Sequence, residues 1–305
     1  MSEDASSSFS RARGPWRRAF SSFRRRPIAL TALGAFLTLC LVGALAGVLA
    51  PYPAGETFLE LVQKPQPPLT PHHLLGTDVL GRDFLTQLLY GVRQTTLSAL
   101  VCAAAATAIG VTVGAVAGFY GGWIDGLVTA ASGVVVAVPA IVVLVIILVW
   151  ATSPITPLSN GLWLAVVLWT GVARVIRGSV IALRPREYVE AAFASGASGL
   201  RILVRHLLPN VSGQIVVAAT SLVGQAVVIV ATVNYLGYSF DNAQTPTLGG
   251  LVADATRATS TLLTGPVPLS ALWWLYVFPS VVLVMLLLSV TFLGDALDEA
   301  LNPAT

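Results

Sequence analysis

The sequence predicts an all-α protein that crosses a membrane six times. Three observations predict it. Of the 305 residues, 55% are hydrophobic and only 10% are charged, against about 25% charged in an ordinary soluble domain. Such a chain cannot cover a water-facing surface, so its excess apolar area must face lipid. Second, the apolar residues fall into six runs, each long enough for the ~30 Å of hydrocarbon in a bilayer. Third, the cations are distributed very unevenly among the segments between those runs.

Residues 1–27 form a polar, basic segment with Arg11, Arg13, Arg17, Arg18, Arg24, Arg25 and Arg26. The first span, 28–50, follows Pro27 and ends at Pro51. Ala44-Leu45-Ala46 has the form of a signal-peptide cleavage site, but the apolar run is longer than a signal h-region, which predicts an uncleaved anchor. Residues 51–93 carry six prolines and read as an extracytoplasmic loop, with a short amphipathic helix near 56–62. The remaining five spans make up a core, 94–293. They cover about 94–119, 127–150, 160–177, 211–236 and 270–293, with a polar loop at 237–269 and a short acidic tail at 294–305.

Orientation follows from the cations. The amino-terminal segment holds seven arginines and the stretch around the 178–210 loop holds six: Arg174, Arg177, Arg184, Arg186, Arg201 and Arg205. The opposite face has four cations, Lys64, Arg82, Arg93 and Arg257. Cytoplasmic loops carry the excess of Lys and Arg. Both termini and the 178–210 loop are therefore expected in the cytoplasm.

Several function classes are excluded. The one lysine, Lys64, lies in Val-Gln-Lys-Pro, so there is no Gly-Lys-Ser/Thr phosphate loop, and any ATP must bind another chain. No HExxH or GxSxG pattern is present, and His72 and His73 sit in a loop. The chain is expected not to be an enzyme and to bind no cofactor or metal. Cys40 and Cys102 lie far apart inside apolar runs and read as small hydrophobes. A secondary carrier coupled through buried carboxylates is disfavoured, since the fifth span has no charge and the third has none after Asp125. The fifth span does carry Gln214, Ser221, Gln225 and Asn234, a candidate translocation path. Gly110, Gly114 and Gly118 form a small-residue groove for a close helix neighbour. Pro139 and Pro279 predict kinks.

The 178–210 loop is the most informative passage. Pro185 suits a helix start, Glu187 the positive end of the dipole, and Gly196 a helix stop. The sequence predicts a short cytoplasmic helix over 187–198, with Ala191, Ala192, Ala194 and Ser195 on its surface.

Glu190-Ala191-Ala192, then Gly196, then Leu208-Pro209 resembles the EAA loop of the membrane subunits of binding-protein-dependent ABC importers. His206 stands where that pattern has an apolar residue, often Ile. His73-Leu74-Leu75-Gly76-Thr77-Asp78-x-Leu80-Gly81-Arg82-Asp83, Gly118-Phe119-Tyr120-Gly121-Gly122-Trp123-Ile124-Asp125, Asn234-Tyr235-Leu236-Gly237 and Leu293-Gly294-Asp295-Ala296-Leu297 are similar to segments of the oligopeptide, dipeptide and nickel permeases, most like the "C" type. Thr245-Pro246-Thr247-Leu248-Gly249 departs from relatives that carry tryptophan before the glycine.

The resemblance implies a type I ABC importer permease in a bacterial cytoplasmic membrane. It implies a homologous second permease, two cytoplasmic ABC ATPases holding ATP and Mg, and an extracytoplasmic solute-binding protein as partners, with no nucleic acid. Peptides are the expected substrate, and nickel or another small solute the alternative. Glu187, Glu190, Ala191, Ala192, Gly196, Leu208 and Pro209 are the residues expected to carry ATPase coupling.

Overall fold

In the computed structural model, residues 23–24, 26–150, 156–237, 246–262 and 272–301 are described. The expectations for Arg11, Arg13, Arg17, Arg18, Arg25, Thr245 and the last four residues lie outside them. Helices dominate: α1 (Pro27–Ala44), α2 (Phe84–Tyr120), α3 (Gly122–Ala137), α4 (Ala140–Trp150), α5 (Pro157–Leu183), α6 (Glu187–Ala194), α7 (Ser212–Tyr235), α8 (Leu248–Leu262) and α9 (Trp273–Leu301). Five of them, α1, α2, α5, α7 and α9, are each long and apolar enough to cross a membrane, and α3 with α4 makes a sixth, broken span.

That break is sharper than a proline kink. α3 and α4 are bent by 80°. Pro139 supplies no N–H, and its ring forces Val138 into extended backbone (φ −100°, ψ 129°). Pro279, by contrast, sits buried inside the unbroken helix α9.

The broadest helix contact is between α2 and α5, which run parallel. Glycine makes it possible. A Cβ added at Gly110 would lie 2.7 Å from the Trp169 carbonyl, at Gly114 2.4 Å from that of Ala173, and at Gly118 2.7 Å from that of Arg177. Gly161 of α5 meets the Ser98 carbonyl in the same way, at 2.7 Å. The backbones touch along some twenty residues of each helix, and Ala99, Cys102, Ala106, Val172 and Ile176 close the seam. Dispersion at this range is what holds membrane helices together, since lipid gives no hydrophobic drive to pair them.

The start of α1, the end of α9 and the 184–210 loop gather at one end of the bundle. Arg26 pairs with Glu299, Phe23, Ala29 and Ala32 pack on Leu293, Ala296 and Ala300, and Gly213 meets Leu301. The 51–83 segment caps the other end. Its polar groups pair internally. Asp83 caps α2, accepting from the Thr86 N–H at 2.9 Å, and its other oxygen lies 3.0 Å from His73 Nδ1. Asp78 accepts from the Leu80 and Arg82 amides and from Arg82 Nε at 2.6 Å. Arg82 reaches on to Asp254 of α8 at 3.4 Å. Burial pushes the Asp78 carboxyl above its ordinary value, and Arg82 pulls it back. Gly76 and Gly81, at φ +80° and +72°, press against the Gln66 and Phe58 carbonyls, where a Cβ would come within 2.4 Å.

Several sequence boundaries move. α2 starts at Phe84, not 94, because Asp83 is its cap; at 37 residues it is ~55 Å long and its first turns stand above the ~30 Å hydrocarbon slab. α5 runs on to Leu183, and α9 continues through the expected tail to Leu301. The helix expected near 56–62 is a three-residue 3-10 turn, Leu59–Leu61. The polar loop at 237–269 contains α8, wedged onto α7, where a Cβ at Gly249 would lie 2.2 Å from the Ala231 carbonyl.

Gly114→Ala tests the seam. The added methyl has only backbone to displace, and overpacking of this kind costs about 1–3 kcal/mol. The melting temperature of the detergent-purified protein is expected to fall by several degrees, while Gly126→Ala, with nothing within 4 Å of its added Cβ, leaves it unchanged. Equal melting of the two variants would contradict the packing.

Candidate functional site

α6 is eight residues long and lies in the segment between α5 and α7. It begins at Glu187, with Arg186 as N-cap in extended backbone (φ −80°, ψ 142°). Pro185 therefore lies one residue before the cap and steers the chain into the turn rather than occupying the first helical position. Glu187 and Glu190 both fall in the first turn, where unpaired N–H groups favour anions.

The helix ends in a Schellman motif. The Gly196 N–H donates to the Phe193 carbonyl at 3.0 Å and the Ala197 N–H to that of Ala192 at 3.1 Å. Gly196 sits at φ +77° with open space around it, so glycine is needed there for its backbone and not for room.

The sides of α6 differ. Val189 and Ala192 are buried, in the cluster that holds Phe119 of α2 and Ile202, Leu203 and Leu207 of the following segment. Ala192 thus belongs to the inner face, not the surface. Glu187, Glu190, Ala191, Ala194, Ser195 and Gly196 are exposed. Two carboxylates beside a patch of small side chains form a shallow face that another protein can approach closely. Downstream, Leu203–Leu207 is a π turn, Leu208 is half-buried and Pro209 exposed. The Asn210 side chain donates to the His206 carbonyl at 2.6 Å, and the Ser212 hydroxyl to the Pro209 carbonyl at 2.6 Å. Leu208 and Pro209 shape the return into α7 and lie outside the exposed face of α6.

Two clefts flank α7. One, of about 440 Å³, lies between α7 and α9 and is lined by Ser221, Gly224, Gln225, Thr291 and Asp295 among others. The second, of about 380 Å³, lies toward α5, lined by Gly171, Val175, Gln214, Ser221, Gln225 and Asp298. Ser221 and Gln225 border both. Gln214 Oε1 is buried with no hydrogen-bond partner among the described residues. Three of the four polar residues singled out on this span thus line open clefts. Asn234 does not: it is fully buried, and its amide donates to the Val230 carbonyl at 2.7 Å.

Sequence reasoning placed Asp295 and Asp298 in a short acidic tail and gave neither a part in a cleft. It also missed Asp125 at the start of α3, which binds Arg177 of α5, one of their hydrogen bonds measuring 2.7 Å. The signal was present in each case, a charge within an otherwise apolar context. Among the described residues no group of three or more His, Cys, Asp or Glu side chains is placed to hold a metal ion.

A family model described as "Binding-protein-dependent transport system inner membrane component" matches residues 110–305. A second, "N-terminal TM domain of oligopeptide transport permease C", matches residues 14–68. The oligopeptide transport system permease protein OppC of Mycobacterium tuberculosis (strain ATCC 25618 / H37Rv) is 32% identical over 288 residues, 93% of this chain and 92% of that protein. The dipeptide transport system permease protein DppC of Bacillus subtilis (strain 168) is 30% identical, covering 97% of this chain and 87% of its own length. The glutathione transport system permease protein GsiD of Escherichia coli O6:K15:H31 is 29% identical, covering 95% and 91%.

Gly196→Ala is expected to fray the end of α6, because a left-handed residue with a Cβ costs about 1–2 kcal/mol. Amide exchange at 193–198 should speed up about fivefold to thirtyfold by the same figure, with Gly196→Asn intermediate. Unchanged exchange in the alanine variant would show that the Schellman turn does not hold the helix end.

Proposed function

The chain belongs to the family of binding-protein-dependent transport system inner membrane components, and from that premise we propose how it works as the permease subunit of an ATP-driven peptide importer. α6 is the element on which cytoplasmic ATPases dock. The observation that carries this is the form of α6: an eight-residue helix whose exposed side combines Glu187, Glu190, Ala191 and Ala194 with Tyr188 and Phe193, with a glycine-closed end and an inner face sealed into the core. ATP and Mg reside on those partner chains, and this chain binds neither and catalyses nothing.

A second, homologous permease covers the clefts along α7, and the shared cavity is the path, with Gln214, Ser221 and Gln225 along it. Uncharged amides and a hydroxyl suit peptide backbones, whose N–H and C=O groups need partners when they leave water. Relatives named for oligopeptides, dipeptides and glutathione favour peptides over nickel as the substrate. An extracytoplasmic solute-binding protein meets the cap formed by 51–83 and α8. Both termini and α6 face the cytoplasm, because the arginines gather there.

Two measurements test this. Deleting the gene should abolish uptake of labelled dialanine and tetra-alanine into cells, and the intact gene should restore it; undiminished uptake would defeat the peptide reading. On a background with Cys40 and Cys102 replaced by serine, an impermeant maleimide should label Val62→Cys from outside intact cells and Ser195→Cys only in inverted vesicles. The reverse pattern would defeat the orientation.

A further inference from the structure

The segment that contains α6 connects α5 to α7, yet α6 is not held chiefly by either. One of its two aromatic side chains, Phe193, stacks on Phe119 in the last turn of α2, with ring centroids 6.1 Å apart and planes within 9°. Phe119 is only 5% exposed and also meets Tyr120 edge-on at 5.1 Å. Gly199 closes over the same ring: a Cβ there would come within 2.9 Å of Phe119 Cε1. The Phe119 ring is thus clasped by the two sides of the loop, Phe193 before the glycine turn and Gly199 after it.

Phe119 in turn is fixed to the rest of the bundle. Gly118, its neighbour, lies against the Arg177 backbone of α5. Two residues on, Gly121 and Gly122 at φ +67° and +58° turn the chain into α3, whose Asp125 is bound by the Arg177 side chain. One ring therefore sits where α2, α5 and the start of α3 meet. The other contacts of α6 with the bundle, through Val189 and Ala192, are aliphatic and give little direction. An offset aromatic pair has a preferred geometry and is worth about 0.5–1.5 kcal/mol beyond its buried area.

We infer that the Phe193–Phe119 stack is the joint through which displacement of α6 is passed to the α2–α5 pair and the α3 arm, with Phe193 a positioning residue for energy coupling. The inference rests on the functional reading above. Phe193 remains 47% exposed, so it is not itself locked into the core. It can follow α6 and carry the buried ring with it.

The test uses the complete transporter, both permeases, ATPases and binding protein, in vesicles, with labelled tetra-alanine uptake and ATP hydrolysis measured together. Phe119→Leu touches no exposed part of α6. It should keep ATPase co-purification and basal hydrolysis while lowering peptide moved per ATP by about twofold to tenfold, the equilibrium ratio an aromatic pair supports. Phe193→Leu should lower peptide moved per ATP by a similar factor, the double variant should be no worse in that ratio than either single one, and Phe193→Tyr, which keeps the ring, should restore coupling. Unchanged peptide per ATP in both leucine variants, or losses that multiply in the double variant, would overturn the joint. Loss of the ATPase from Phe119→Leu would overturn it too, by making the ring a matter of assembly. An unmodified transporter with no ATP-driven uptake would overturn the functional reading, an outcome visible before any variant is compared.

Discussion

The contact on which the rest of the structure depends is the backbone-to-backbone seam between α2 and α5. Gly110, Gly114, Gly118 and Gly161 let two long helices meet without side chains between them. In lipid, where apolar surface gains nothing by leaving the solvent, close approach is the main source of helix affinity. The seam also has a geometric consequence. Two parallel helices bound over most of their length move as one body, so what is attached at one end is mechanically tied to what is attached at the other.

At one end the attachment is the cap. Asp83 joins the first turn of α2 to His73, and Asp78 with Arg82 joins the preceding turn to α8 through Asp254. Trp274 of α9 donates to the Thr77 carbonyl at 3.3 Å, and the α8 amide of Leu248 donates to Thr95 at 3.1 Å. Buried polar groups are costly unless every partner is present, so this cap has one arrangement rather than many. At the opposite end the attachment is α6, clasped on Phe119. A partner that shifts α6 shifts a body whose far end holds the cap, while α7, with its clefts, lies against the side of that body. An importer of the kind proposed needs such a connection between an ATP-driven end and a substrate-receiving end.

Much of this was legible in the sequence, for physical reasons that can be named. Hydropathy marks spans because lipid tolerates few exceptions, and the six apolar runs became five long helices and one broken span. The Gly110-x-x-x-Gly114-x-x-x-Gly118 spacing marked the seam, and Gly196 marked the end of α6. What stayed hidden was set by tertiary contact. Thr86, Gln87 and Arg93 look like loop residues, and only the Asp83 cap shows that they are helical. α8 hides in a polar stretch because Leu248, Leu251, Ala253 and Ala255 are buried by contacts with α7 and α9 that no local pattern reports. Asn234 resembles its neighbours on the fifth span, but its register turns it inward while Gln225, nine residues earlier, faces a cleft. The Phe193–Phe119 stack links positions 74 residues apart, a separation that no local pattern reports.

The central claim is that α6 is where the ATP-hydrolysing partners engage a rigid α2–α5 body. A photo-reactive p-benzoylphenylalanine at Ala191, on the exposed face of α6, tests it in the assembled transporter. A covalent adduct with an ATPase chain is expected from position 191 and none from position 62 in the cap. An ATPase adduct from position 62, or adducts from 191 with lipid alone, would contradict it.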